Sequence, residues 1–206
     1  MTPAATREGS VAAPRRARPG SDGRRERMLD AVARCFAERG YHETSVDAVV
    51  ARARTSKTAF YESFSGKEAA FAALLEREGE RLLHAVSAAV EAEADPLRRA
   101  DAGIATFVRA CARDATSARI LLVESVGTSP LVEERRRSLH ARFAAMVQAQ
   151  IESLQPRGGA QPDAETLGFA VIGAVNEAVV HLLEAGGDPE RVIVALEHLL
   201  GHGLIA

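Results

Sequence analysis

Residues 24–71 read RRERMLDAVARCFAERGYHETSVDAVVARARTSKTAFYESFSGKEAAF, three short helical patterns with very little chain between them. Met28, Leu29, Val32, Cys35 and Phe36 recur at three- and four-residue steps, which places them on one helix face, and Gly40 stops the run. Thr44-Ser45-Val46-Asp47 has a capping-box-like spacing and opens a second helix that carries Val46, Val49 and Val50. Ser56 is a good N-cap for a third helix, with Phe60 and Phe64 on it. Helices over 46–51 and 56–63 with a turn at 52–55 make a helix-turn-helix, whose second helix lies across the major groove while the first braces on the backbone. Phe60 and Phe64 are spaced to seat that second helix on its own domain. Ser56, Lys57, Thr58, Tyr61 and Glu62 are then left toward solvent or DNA.

Charge divides at the same place. The 206-residue chain has a net charge of only −2, but residues 1–67 hold 13 Lys and Arg against 8 Asp and Glu, a net of +5. Residues 68–206 hold 13 against 20, a net of −7. A basic head on an acidic body is the asymmetry expected when only the head meets phosphate. Residues 1–22 are rich in Ala, Pro, Arg, Gly and Ser without hydrophobic period and read as a disordered basic arm. The expected division is this arm, a DNA-binding domain at 23–66, and a ligand-binding and dimerisation domain at 67–206.

Beyond the head the chain is again helical, and its punctuation is legible. A long helix runs from about Lys67 to the low nineties. Asp95-Pro96, Ser129-Pro130, Asp163 and Asp188-Pro189 each supply a helix start, and Gly186-Gly187 supplies a stop. The apolar run 120–123 is too short for its period to decide, but its surroundings favour helix; 156–162 reads as a loop. With no credible strand alternation, the fold is all-α: a three-helix head and a larger helical body, about nine helices together.

Residues 24–71 resemble the TetR (tetracycline-repressor-like) family of transcriptional regulators. The likeness lies in the helix ending at Phe36, then Gly40-Tyr41, Thr44-Ser45-Val46, Ser56-Lys57, Phe60-Tyr61, Phe64 and Lys67-Glu68, several fixed spacings at once. The resemblance implies that Thr44 and Ser45 contact phosphate, that Ser56, Lys57 and Thr58 sit at or near base edges, that Tyr61 bonds a phosphate and that Lys67 contacts backbone. Two positions depart from it. Arg54 stands where the family usually has Gly, so either a non-glycine residue takes a positive φ or Arg54 adopts an ordinary conformation and adds a phosphate contact. Glu62 is acidic on a DNA-facing helix, and either accepts from a cytosine amine or points away.

The helix from Asp163 to Leu183 is apolar over well over half its circumference, with Glu177, His181 and Glu184 in the polar remainder. Such a helix needs cover on two sides, from its own core and from another subunit. The last helix has a similar stripe, and the family resemblance implies a homodimer built on these two helices. Val175, Val179, Leu183, Val192, Leu196 and Leu199 are the expected interface. Phe107, Cys111, Leu122, Phe143, Met146 and Val147 are expected around a cavity for a small, mainly apolar effector. Asn176 pairs across the dimer, pairs within the core or reaches that ligand.

No GxSxG, HExxH, P-loop or GxGxxG occurs, so no enzyme is read here. His198 and His202 lie four apart without a clearly placed third ligand, so neither a metal nor a cofactor is expected, and Cys35 and Cys111 read as small buried apolar groups. Without an uninterrupted apolar run of membrane length or a readable secretory signal, no membrane partner is expected and the setting is read as cytoplasmic. The expected partners are double-stranded DNA bearing a palindromic operator, a small-molecule effector and a second copy of the chain. The function is expected to be that of a ligand-released repressor, the alternative being a DNA-binding architectural protein without an effector.

Overall fold

Ser45, Ser56, Asp95, Asp114 and Asp163 each accept a backbone N–H from two or three residues further along, so side-chain caps mark where five helical elements begin. The structure, a computed structural model, describes residues 21–154 and 163–204. The expected basic arm, apart from its last two residues, and the expected loop at 156–162 lie outside the described residues. The elements are α1 (Ser21–Glu43), α2 (Val46–Arg52), α3 (Lys57–Ser63), α4 (Lys67–Ala92), α5 (Arg99–Arg113), α6 (Ala115–Arg119), α7 (Pro130–Leu154), α8 (Ala164–Ala185) and α9 (Pro189–Leu204). Among the described residues there are nine α-helices and no strand, so the all-α expectation holds.

Three local details differ from the sequence reading. Gly40 breaks α1 with φ 75° and ψ 170°, but the chain regains a helical turn and ends the element at Glu43. Asp95 accepts from the Leu97 N–H at 3.0 Å, which tightens the start into a 3₁₀ turn over Pro96–Arg98. That turn leaves Leu97 54% exposed, and α5 begins only at Arg99. Ile120–Glu124 forms one π-helical turn after α6, with Ile120 and Leu121 buried.

α4 is the strut of the molecule. Phe71, Leu74 and Leu75 bury its first half against the head, and Leu82, Val86 and Val90 bury its second half in the body. One apolar core therefore runs from Met28, Leu29 and Phe36 through α4 to Phe107, Val179 and Ile193. Arg77 ties the strut to α1 through Glu26 at 3.0 Å and Asp30 at 2.9 Å. Next to it the buried Glu78 pairs with Arg77 at 2.6 Å and with Arg81 at 3.2 Å, and accepts from the Ser117 hydroxyl of α6 at 3.2 Å. A buried carboxylate is tolerable only when paired and hydrogen-bonded in this way.

By length and composition α8 is apolar enough to cross a bilayer, which the test of uninterrupted apolar runs does not reveal. Here it is packed against α7, α5 and α9, with Val171, Ile172, Val175, Val179 and Leu182 buried. Gly168 lets α8 approach α7 closely, since a Cβ there would lie 2.6 Å from the Ala144 carbonyl oxygen.

Candidate nucleic-acid interface

Phe60 and Phe64 are buried, their ring centroids 5.4 Å apart, and they fasten α3 to the head. α3 is therefore turned so that Ser56, Lys57, Thr58, Tyr61 and Glu62 are exposed, with Tyr61 55% accessible. These are the five residues expected on the outward face, and the structure brings them together. Ser45 and Ser56 are exposed at the starts of α2 and α3, their hydroxyls accepting from the N–H groups of Ala48 and Ala59 at 3.2 and 3.1 Å. Lys57 reaches back to α2 and meets the Asp47 carboxylate at 2.7 Å, which holds its ammonium above the ordinary lysine range. Arg52 forms a two-pronged pair with Glu38 at 2.6 and 2.5 Å, binding the end of α2 to α1.

The surface offers hydroxyls, a phenol and an ammonium within two helical turns, a set that can donate to phosphate oxygens and to base edges. Glu62 is the acidic exception, and Arg24 of α1 faces it at 3.9 Å.

Two expected contacts, at Thr44 and Lys67, need correction, and of the two alternatives for the Arg54 backbone the positive φ is the one adopted. Thr44 is buried, its hydroxyl lying between the carbonyl oxygens of Gly40 at 2.8 Å and Cys35 at 3.1 Å, so its side chain closes the end of α1 instead of facing phosphate. Lys67 donates to the carbonyls of Tyr41 at 2.7 Å and His42 at 3.2 Å, and its ammonium lies 4.3 Å from the centre of the Tyr41 ring. It bolts the start of α4 to the end of α1, a role that sequence spacing does not reveal. Arg54 does not take an ordinary conformation: its φ is 50°, the turn keeping its shape despite the missing glycine. Its exposed side chain leaves the turn between α2 and α3.

In the body, Phe107, Cys111 and Phe143 are buried, with Phe107 and Phe143 edge to face at 5.7 Å. Leu122, Met146 and Val147 pack against that core and are partly buried. Asn176 lies 3.3 Å from Nε2 of His140 on α7, the within-core alternative among its three expected partners. Burial lowers the His140 pKa, so the ring is neutral near pH 7. Burial also pushes the Cys111 thiol up to about 12, which makes it inert. A cleft of about 290 Å³ opens elsewhere, between Arg39 to His42 at the end of α1 and Val123 to Thr128 beyond the π turn. None of the residues expected around the effector lines it.

The expected dimer face needs correction too. Val175, Val179 and Leu196 are at most 4% exposed within a single chain, so they hold its own core together. Leu183 and Val192 are half-buried, and Leu199 alone of the six stands out, at 60%. Among the described side chains of α8 and α9, the large apolar ones left uncovered are Phe169 at 46%, Val194 at 64% and Leu199, beside the exposed Ala170, Gly173 and Ala195. Among the described residues no group of three His, Cys, Asp or Glu side chains could hold a metal.

A family model described as "Bacterial regulatory proteins, tetR family" matches residues 28–74, the segment that builds α1 to α3 and the start of the strut. The head of the chain is thus of the TetR type. Relatives extend the likeness past the head. The transcriptional regulator EthR of Mycolicibacterium smegmatis is 29% identical over 191 residues, 90% of this chain and 88% of that protein. The transcriptional activator FasR of the same organism is 31% identical over 111 residues, 54% of this chain and about half, 51%, of its own length. Among solved structures, the regulator FadR of Bacillus subtilis in complex with stearoyl-CoA superposes with a TM-score of 0.76 at 16% identity, covering 85% of this chain and 96% of that one. That likeness is one of fold. The chain thus carries a TetR-type helix-turn-helix at α2 and α3 and is similar along its length to DNA-binding transcription regulators.

Proposed function

We propose that this chain is a homodimeric TetR-family repressor that leaves a palindromic operator when a small, mainly apolar effector enters the body. The observation that carries the reading is the outward face of α3, with Ser56, Lys57, Thr58 and Tyr61 presented together while Phe60 and Phe64 anchor the helix. Ser45 and Arg54 flank that face and complete the proposed DNA contacts. Residues 23–66 act as the DNA-binding domain and 67–206 as the ligand-binding and dimerisation domain. Repression needs only occupancy of the operator, whereas activation needs a further surface for the transcription machinery.

The exposed stripe of Phe169, Gly173, Val194 and Leu199 is the face offered to a second copy, and pairing there sets the distance between the two α3 helices. Phe107, Cys111, Leu122, Phe143, Met146 and Val147 make the effector's surroundings apolar, with Asn176 and His140 as the polar pair an effector would engage. The complex of Bacillus subtilis FadR with stearoyl-CoA supports a long apolar chain as the effector class. The effector acts only insofar as it binds the operator-free state more tightly than the bound one.

The test is a thermal-shift series with fatty acids and acyl-CoA thioesters of increasing chain length, paired with operator binding and with transcription in vitro. A chain-length-dependent rise in melting temperature, loss of operator binding and relief of repression are expected. Unchanged melting with every compound, while operator binding persists, favours the architectural reading. Stimulated transcription overturns repression in favour of activation.

A further inference from the structure

We propose that Gln150 selects the effector, its buried side-chain oxygen taking a hydrogen bond from a donor group on an otherwise apolar molecule. The inference rests on the reading of the body as an effector site and names the chemistry at one end of that molecule. Among the described residues, Gln150 Oε1 is the one buried side-chain oxygen or nitrogen without a hydrogen-bond partner. The buried polar residues are otherwise paired. Thr44 meets the carbonyls of Gly40 and Cys35, Glu78 meets Arg77, Arg81 and Ser117, and Ser125 donates to the Leu121 carbonyl at 2.8 Å. A buried acceptor left without a donor costs stability, so this lone exception calls for a donor from outside the chain.

Its position says what carries that donor. His140, Phe143, Val147 and Gln150 follow one another on α7 at steps of three, four and three residues, so they share one helix face. On that face Phe143 is buried edge to face against Phe107 of α5, and Val147, with Met146 beside it, packs on the border of the same core. The face therefore has a polar group at each end and apolar surface between them. At one end Asn176 already lies 3.3 Å from the His140 ring nitrogen. At the other, about 15 Å along the helix axis, the Gln150 oxygen waits for a partner. Met146 and Val147 are only half-buried, and the unbranched, adaptable Met146 is the side chain that makes way for a ligand there. An amide oxygen can only accept. A hydroxyl or an amide N–H fits it, an ether brings no proton, and an ionised carboxylate sets oxygen against oxygen. The effector class is thus a neutral apolar molecule with a hydroxyl or amide N–H at one end.

The experiment compares n-octanol, its isomer n-heptyl methyl ether and octanoate as ligands of the full chain and of full-length Gln150→Met. The two neutral compounds contain the same atoms and differ in whether the oxygen carries a proton. Affinity is measured by isothermal titration calorimetry, and far-UV circular dichroism checks that helicity is unchanged. The unmodified chain is expected to bind the alcohol about five- to tenfold more tightly than the ether, because only the alcohol satisfies the buried acceptor, and the carboxylate more weakly than the alcohol. Methionine keeps the length of the side chain and removes the oxygen, so Gln150→Met is expected to bind alcohol and ether equally. Should the variant lose helicity, the ratio in the unmodified chain stands as the test by itself. Equal affinity for alcohol and ether in the unmodified chain overturns the proposal and leaves the apolar effector site intact. An alcohol preference that survives in Gln150→Met gives the contact to another group and overturns the proposal as well. Absence of binding by all three compounds overturns the effector reading of this face and the proposal with it.

Discussion

Lys57 and Asp47 face each other across the turn between α2 and α3, ammonium to carboxylate 2.7 Å, with both side chains more than half exposed. The ion pair lies on the surface assigned to DNA, so phosphate and Asp47 compete for one cation. An exposed pair of this kind is weak and screened by salt, so removing it changes affinity only a few-fold. Asp47→Asn is therefore expected to tighten operator binding by about two- to fivefold at low salt. Lys57→Ala is expected to weaken specific binding more than binding to unrelated duplex. Anisotropy titrations with both duplexes check this, and tighter binding by Lys57→Ala would reverse the assignment of that face.

Arg54 separates charge from backbone conformation. At φ 50° an L-residue other than glycine is held in a conformation that costs about 1–2 kcal/mol. Arg54→Gly relieves this and is expected to raise unfolding stability by up to about 1 kcal/mol, part of the gain being offset by glycine's larger unfolded-state entropy. Arg54→Ala keeps the strain. Both variants lose one cation, and if Arg54 contacts phosphate both flatten the salt slope by about one unit. Chemical denaturation and the salt series together read the two effects separately.

Lys67 acts chiefly inside the head. Its ammonium meets the last carbonyls of α1 and the face of Tyr41. Lys67→Ala is expected to destabilise the fold by about 1–3 kcal/mol, the range for charge-assisted hydrogen bonds to a part-buried group. Any loss of DNA affinity should follow that loosening, and the salt slope should stay close to that of the unmodified chain. A stable variant with a slope shallower by a full unit would return Lys67 to the phosphate contacts.

Much of this molecule was legible from spacing alone. Ser56, Phe60 and Phe64 fix the rotation of α3 because a cap and two aromatics one turn apart leave it only one seat. Asp163 and Gly186 bound α8 for equally local reasons. What stayed hidden depends on long-range packing. Thr44 and Lys67 are polar residues at helix starts, and nothing in their neighbours tells that the end of α1, more than twenty residues back for Lys67, supplies carbonyls for them to satisfy. Spacing does not reveal His140 as the partner of Asn176, because the two are 36 residues apart on different helices. The apolar width of α8 pointed to two covered sides, but could not say which valines face the chain's own core.

That last distinction is itself testable. Phe169→Glu and Leu199→Glu put charge on the uncovered stripe, and each is expected to convert the proposed dimer to a folded monomer with greatly weakened operator binding. Val175→Glu puts a charge into a site 3% exposed and is expected to unfold the body instead. Sedimentation velocity with circular dichroism separates the outcomes. A dimer that survives both surface charges would place the interface elsewhere.

The most direct measurement is methylation protection of guanine N7, an atom that lies in the major groove, on the palindromic duplex selected by the full chain. With α3 seated in the groove, the unmodified dimer should protect guanines in two symmetric half-sites. The doubly substituted Lys57→Ala/Tyr61→Phe chain, at equal helicity, should leave them reactive. Protection that is absent in the unmodified chain, or unaltered by the double substitution, would contradict the assignment of α3 as the helix that reads DNA.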